Sequence, residues 1–178
     1  MMTLSDRVKS SIRDVEGYPK PGVVFKDITP LLADPYLVKQ VIQSLAEGYR
    51  GKKIDAVAAI EARGFILGAL LAHELNCSFI PFRKAGKLPY STRRQRYELE
   101  YGSAEIEVHT DAIKAGQRIL VHDDLLATGG TACAAGHLIR SFGADVAGFS
   151  FLINLSFLPG AGNLAEQFNL SPDFLVKY

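Results

Sequence analysis

The residues best equipped for chemistry lie between Arg118 and Thr131, in the run Arg-Ile-Leu-Val-His-Asp-Asp-Leu-Leu-Ala-Thr-Gly-Gly-Thr. A short apolar stretch delivers two adjacent carboxylates, Asp123 and Asp124, and the chain then turns through Ala127, Thr128, Gly129, Gly130 and Thr131. Glycines let the backbone come close to a ligand, and the free N–H groups opening the next helix favour an anion. Thr128 and Thr131 add hydroxyl donors. Two carboxylates beside an anion hole repel a bare phosphate, but they accept hydrogen bonds from the hydroxyls of a phosphorylated sugar. A nucleotide-triphosphatase P-loop is excluded, because the glycine spacing differs and no Lys follows. The plainer alternative is a turn whose acids merely face water; Asp-Asp-x-x-x-Thr-Gly-Gly-Thr at a strand end argues against it.

The elements around this segment follow from periodicity and punctuation. An amphipathic helix is expected from Leu4 to about Val15, capped by Thr3 or Ser5, and Pro19, Pro21 and Gly22 then force an irregular stretch. Asp34-Pro35 is a good helix start, with an acceptor at the cap and proline at the first helical position. Apolar runs at 54–60, 78–82, 118–121 and 145–154 read as buried strands, with helices expected from Gly64 to Leu75 and from Gly130 to Phe142. Residues 97–101 and 104–109 read as a hairpin, 83–96 as a loop, 164–168 as a short helix and 174–177 as a final strand. Strands alternating with helices imply an α/β fold with a central parallel sheet flanked by helices, whose ligands sit beyond the carboxyl ends of the strands.

Bulk properties narrow the classes. A chain of 178 residues with 48% hydrophobic and 22% charged residues is a single globular domain by length and composition. Lys and Arg number 20 against 19 acids, so no overall field argues for nucleic acid or a membrane surface. No apolar run approaches the ~18 residues of a membrane helix, and the first residues lack a signal-peptide core. Cys77 and Cys133 have no metal-ligand spacing and are too few for a disulfide framework, which points to a reducing, cytoplasmic setting.

Residues 119–131 resemble the signature of the type I phosphoribosyltransferases, which bind 5-phosphoribosyl 1-diphosphate, and the form Asp-Asp-Leu-Leu-Ala-Thr-Gly-Gly-Thr is similar to their adenine-specific branch. Four further segments agree: Pro21 to Leu32, Ile60-Glu61-Ala62-Arg63-Gly64-Phe65, Arg83-Lys84-Ala85-Gly86-Lys87-Leu88-Pro89, and Tyr97-Glu98-Leu99-Glu100-Tyr101-Gly102. The resemblance implies the type I fold, with a small N-terminal hood (about 1–33), a core (about 34–178) and a flexible lid hairpin (83–100). It implies transfer of the phosphoribosyl group to adenine, giving AMP and diphosphate, with Mg²⁺ arriving on the diphosphate and held mainly by substrate oxygens and water. The family usually forms homodimers.

The resemblance also implies the residue roles. Ala127 to Thr131 cradle the 5′-phosphate, Asp123 and Asp124 hold the ribose hydroxyls, and Arg63 contacts the diphosphate at a second helix start. The stretch from Arg83 to Arg96 has six basic residues and no acid. It suits a lid that brings Lys84 and Lys87 to the diphosphate, with Gly86 as hinge. Val24, Phe25 and Lys26 would hold adenine, Phe25 by stacking; from spacing alone Phe25 reads as core. Glu100 would do the acid–base work, although strand glutamates beside tyrosines often just face solvent. Two residues depart from the family pattern. His122 stands where an aliphatic residue is usual, either as a core histidine or as a group perturbing Asp123, and Lys26 replaces a commoner Arg, with one forked donor fewer.

Two other readings compete. One is a transferase of the same fold for xanthine, hypoxanthine or orotate, against which the Phe25 and Glu100 segments argue. The other is a non-catalytic regulator that senses the diphosphate sugar and binds nucleic acid through 83–96; the chain leaves no room for the DNA-binding domain such regulators carry. Gly160-Ala161-Gly162-Asn163-Leu164-Ala165 matches a dinucleotide-binding turn, but too little chain follows it to build that unit.

Overall fold

The computed structural model of the chain describes residues 2–98 and 102–178. Helix α1 (Leu4–Ser11) opens on a capping box: the Thr3 hydroxyl accepts from the Asp6 amide at 3.1 Å, and the Asp6 carboxylate accepts from the Thr3 amide at 3.0 Å. It stops four residues short of the expected Val15. The chain instead enters β1 (Arg13–Glu16), which pairs antiparallel with β2 (Val24–Asp27) as a separate two-stranded sheet. Arg-Asp-Val-Glu carries no period-2 apolar pattern, so this pairing left no mark in the sequence.

After the short α2 (Thr29–Leu32), α3 (Pro35–Glu47) begins where Asp34-Pro35 predicts, the Asp34 carboxylate accepting from the amides of Tyr36 and Leu37 at 3.0 Å. The central layer follows as β3 (Ala56–Ile60), α4 (Gly64–Glu74), β4 (Ser78–Lys84), β5 (Thr92–Glu98), β6 (Ser103–His109), β7 (Arg118–Leu126), α5 (Gly130–Ser141), β8 (Asp145–Asn154), α6 (Gly160–Phe168) and β9 (Asp173–Lys177). The strand order is β5-β6-β4-β3-β7-β8-β9. The five strands from β4 to β9 in that order are parallel, as expected, while β5 and β6 extend the sheet antiparallel beyond β4.

The expected loop at 83–96 is corrected. Strand β4 runs on through Lys84 and β5 starts at Thr92, so only residues 85–91 connect them. Both faces of β5 are largely solvent-accessible, and it lies at the sheet edge. A strand there needs no buried apolar face, and basic side chains on it discourage edge-to-edge pairing. Arg93 lies over the Phe142 ring at 4.1 Å, and Arg94 pairs with Glu107 at 3.1 Å.

Helices cover both faces of the sheet. On one, Ile119 and Val121 pack with Ala135 and Leu138 of α5 and with Phe149 and Phe168. On the other, Val57 and Leu120 meet Val41 and Leu45 of α3 and Leu67 and Leu71 of α4. Among the described residues no helix is long and apolar enough to cross a membrane.

Candidate functional site

Strands β3 and β7 are parallel neighbours, with Ala59 opposite His122. Their carboxyl ends therefore lie side by side, and each feeds a tight turn into a helix. From β3 the sheet order departs to β4 on one side and β7 on the other, the switch point at which open α/β sheets bind ligands.

The turn after β7 is the glycine-rich one. Gly129 caps α5 at φ 82°, a left-handed conformation that side chains rarely adopt, and it leaves the first amides of α5 facing outward. Asp123, Ala127, Thr128, Gly129, Gly130 and Thr131 contribute to the lining of a cavity of about 90 Å³. A second cavity of about 100 Å³ shares Asp123 and Thr131 and is bounded by Glu61, Phe82, Lys84 and Tyr97. Tyr97 accepts a hydrogen bond from the Thr131 hydroxyl at 3.2 Å, so the β5 strand touches the glycine-rich turn.

What stands behind this turn was not recognised in the sequence. The Gly160 amide donates to the Ala127 carbonyl at 3.1 Å, and the Asn163 side-chain amide donates to the Thr128 carbonyl at 2.9 Å. The glycine-rich stretch set aside as a false dinucleotide motif is thus the N-terminus of α6, buttressing the turn. Its Gly-x-Gly composition was the available signal; only the fold revealed its purpose.

The turn after β3 brings in Arg63. Its guanidinium donates to the Lys26 carbonyl at 2.8 Å, pairs with Asp124 at 2.8 Å and lies over the Phe25 ring at 4.6 Å. The Asp124 contact is an ion pair without hydrogen-bond alignment, so Asp124 Oδ2 keeps its accepting capacity. Gly64 is required here, because a β-carbon would come within 2.7 Å of Asp123 Oδ1. Burial pushes the carboxyls of both Asp123 and Asp124 above their usual range. For Asp123 the adjacent Asp124 charge adds to the effect; for Asp124 the Arg63 charge works against it.

The 85–91 connection is moulded on Glu107, which is fully buried. Its carboxylate accepts from the Lys87 and Leu88 amides at 2.9 Å each, and from Thr92 Oγ1 and Arg94 Nε at 3.1 Å. Burial raises its pKa, but the amides of Leu88, Gly86 and Lys87 and the Thr92 hydroxyl outweigh that and hold it at about 2. Arg83 ties the connection to the β3 turn, donating to Glu61 at 2.8 Å and to the Lys87 carbonyl at 3.1 Å. The Lys84 amide also donates to Glu61, at 3.2 Å.

The structure thus gathers Arg63, Lys84, Asp123, Asp124 and residues 127–131 at one sheet edge, with Val24, Phe25 and Lys26 joined to them through Arg63. Phe25 is half-buried and meets Tyr18 edge-on at 5.1 Å, so it is not a core residue. The Lys26 side chain is directed elsewhere, towards Asp14 and Tyr178. Glu100 lies outside the described residues. His122 is fully buried with Nδ1 at 3.4 Å from Ser150 Oγ, and burial lowers its pKa to about 4, so it stays neutral near pH 7 as part of the core.

A model of the phosphoribosyl transferase domain matches residues 31–167. The chain is 52% identical over 159 residues to the adenine phosphoribosyltransferase of Methylorubrum extorquens (strain PA1), covering 89% of this chain and 88% of that one. Among solved structures, the adenine phosphoribosyltransferase of Thermoanaerobacter pseudethanolicus is 45% identical, with a TM-score of 0.94 over 99% of this chain and 100% of that one. The Saccharomyces cerevisiae enzyme, solved with an iminoaltritol bisphosphate and adenine, is 35% identical, with a TM-score of 0.88 over 97% and 98%.

Proposed function

The chain belongs to the adenine phosphoribosyltransferases, and from that premise we propose how its cleft transfers a 5-phosphoribosyl group from 5-phosphoribosyl 1-diphosphate to adenine, giving AMP and diphosphate for purine salvage. The observation that carries the reading is the pairing of two strand-to-helix turns around the Asp123–Asp124 carboxylates, with Arg63 bridging them to the Phe25 segment.

The 5′-phosphate is received by the amides and hydroxyls of residues 127–131, where the α5 dipole favours an anion. Asp123 and Asp124 accept hydrogen bonds from the ribose hydroxyls. Buried carboxyls that are short of donors gain most from such partners, which restore their charged form. The diphosphate meets Arg63, the β3 turn and Lys84 at the end of β4, and Lys87 approaches it as the 85–91 connection closes. Mg²⁺ bound with the diphosphate would take its ligands mainly from substrate oxygens and water. It would supply charge neutralisation for the leaving group, and on the protein side the carboxylate of Asp123, which lines both cavities of the cleft, fits such a cation.

Adenine stacks on Phe25, with backbone groups at Val24 and Lys26 reading its edge. Departure of diphosphate leaves positive charge at C1 of the sugar, and the Glu100 carboxyl manages the proton of the incoming base. The assignment of Glu100 rests on the sequence motif alone. Helix α4 is apolar on nearly all sides and exposes Ile66 and Leu70, while Phe65 stacks edge-on against the partly exposed Phe79. This face supports a homodimer, which sedimentation equilibrium of the parent and of Leu70→Glu would test. The free thiols Cys77 and Cys133 suit a cytoplasmic location.

The deciding assay follows AMP formation from adenine, the diphosphate sugar and Mg²⁺, with guanine, hypoxanthine, xanthine and orotate beside it. Turnover with adenine alone is expected. Turnover with another base would keep the sugar site and discard the Phe25 assignment.

A further inference from the structure

The β1–β2 hairpin carries Val24 and Phe25, yet its two strands bury no apolar side chain against the body of the protein. Two-stranded hairpins are marginal alone, and docking against a body normally supplies their stability through apolar side chains. Of the eight strand residues in this hairpin only one is buried, and it is Lys26, at 8% exposure. Its ammonium reaches Asp14 Oδ1 of the facing strand at 2.7 Å and sits 3.9 Å from the centre of the Tyr178 ring. Asp14 belongs to the hairpin itself, so that bond joins the two strands to each other; the ring belongs to the body of the protein.

The Tyr178 ring is a fixed platform. The Tyr178 amide donates to the Asn154 carbonyl at the end of β8 at 2.9 Å, and its own carbonyl accepts from the Ser156 amide at 2.8 Å. Lys9 of α1 approaches the same ring at 5.4 Å. An ammonium with most of its water removed, paired with a carboxylate and set over an aromatic face, is held by both charge and quadrupole. Arg63, which donates to the Lys26 carbonyl and lies over the Phe25 ring, also ties the hairpin to the body, but it is a residue assigned to the diphosphate.

We propose that Tyr178 is a positioning residue for the base: with Lys26 and Asp14 it forms a latch that fixes the Val24–Phe25 segment over the cleft independently of the sugar site. Lys26 then acts through its side chain on the hairpin and not on adenine. A lysine serves here because a point ammonium fits between a carboxylate and a ring, whereas a forked guanidinium is broader. The inference rests on the assignment of adenine to Phe25 made above.

The test compares Tyr178→Leu, which removes the ring but keeps bulk, with Tyr178→Phe, which keeps the ring. Two quantities are read: KM for each substrate, and amide hydrogen exchange over residues 13–27 against residues 118–126. For Tyr178→Leu we expect KM for adenine to rise about fivefold or more, KM for the diphosphate sugar to stay within about twofold, and exchange to accelerate in 13–27 alone. Tyr178→Phe should restore all three. Unchanged exchange in 13–27 would overturn the latch. Accelerated exchange with an unaltered adenine KM would overturn its role in positioning the base, provided that Phe25→Ala raises that KM. Should Phe25→Ala leave adenine KM unaltered, the Phe25 assignment itself fails, and exchange alone decides the latch.

Discussion

Gly160 lies so close to Ala127 that it cannot gain a side chain without moving the turn: the Gly160 amide bonds the Ala127 carbonyl at 3.1 Å, and a β-carbon on Gly160 would lie 2.3 Å from that oxygen. The glycine-rich turn is therefore set from behind by α6. Replacing Gly160 by Ala must push the turn forward or the helix back. We expect Gly160→Ala to raise KM for the diphosphate sugar by about tenfold or more while KM for adenine changes little, and to lower the melting temperature by several degrees. Steady-state kinetics with each substrate varied, alongside calorimetry, reads both effects.

Asp124 is 5% exposed and faces Arg63 at 2.8 Å. In Asp124→Asn the partly exposed Arg63 guanidinium loses its counter-charge and the ribose loses a charged acceptor. Hydrogen bonds to charged groups contribute roughly 1.5–3 kcal/mol, so affinity for the diphosphate sugar should fall roughly 10- to 150-fold. Titration calorimetry with that sugar and Mg²⁺ measures this directly. Parent-like affinity would move the ribose away from this carboxylate.

Glu100→Ala should behave in the opposite way. A group that acts on the proton of the base contributes to the transition state and not to sugar binding, so kcat should fall about 10²- to 10⁴-fold with KM for the diphosphate sugar nearly constant. Pre-steady-state measurement of AMP formation separates this from slow product release. An unchanged chemical step would remove Glu100 from the mechanism.

His122 yields a prediction about pH. Its pKa is about 4 in the folded protein, lowered by burial, against ~6.5 for an exposed imidazole. Between these values the unfolded chain binds a proton that the folded one refuses. The folded state is therefore unpenalised above pH 6.5 and loses stability as the pH falls towards 4, by on the order of 3 kcal/mol for this one group. His122→Leu should flatten the fall in denaturation midpoint between pH 6.5 and pH 4, with little change at pH 8. An equally steep fall in the variant would assign the acid sensitivity to other groups.

Much of this architecture was legible from the chain alone. Apolar runs buried on both faces marked the parallel strands, Asp34-Pro35 marked α3, and the Asp123-to-Thr131 segment marked both the carboxylate pair at the end of β7 and the glycine-rich turn into α5. Each of these signals is local, because buried strands, helix caps and glycine turns impose their demands within a few residues of sequence. What depended on contacts between distant segments was not legible. The basic side chains of 93 to 96 looked like loop because an exposed edge strand needs no apolar alternation. The β1–β2 pairing was hidden because its polar residues are held by Arg63 and Tyr178, 37 and 152 positions beyond Lys26. Tertiary structure alone decided that Gly160 backs the glycine-rich turn, that Glu107 moulds the 85–91 connection and that the Lys26 side chain faces a ring. In each case the partner that gives the residue its purpose is brought to it only when the sheet closes.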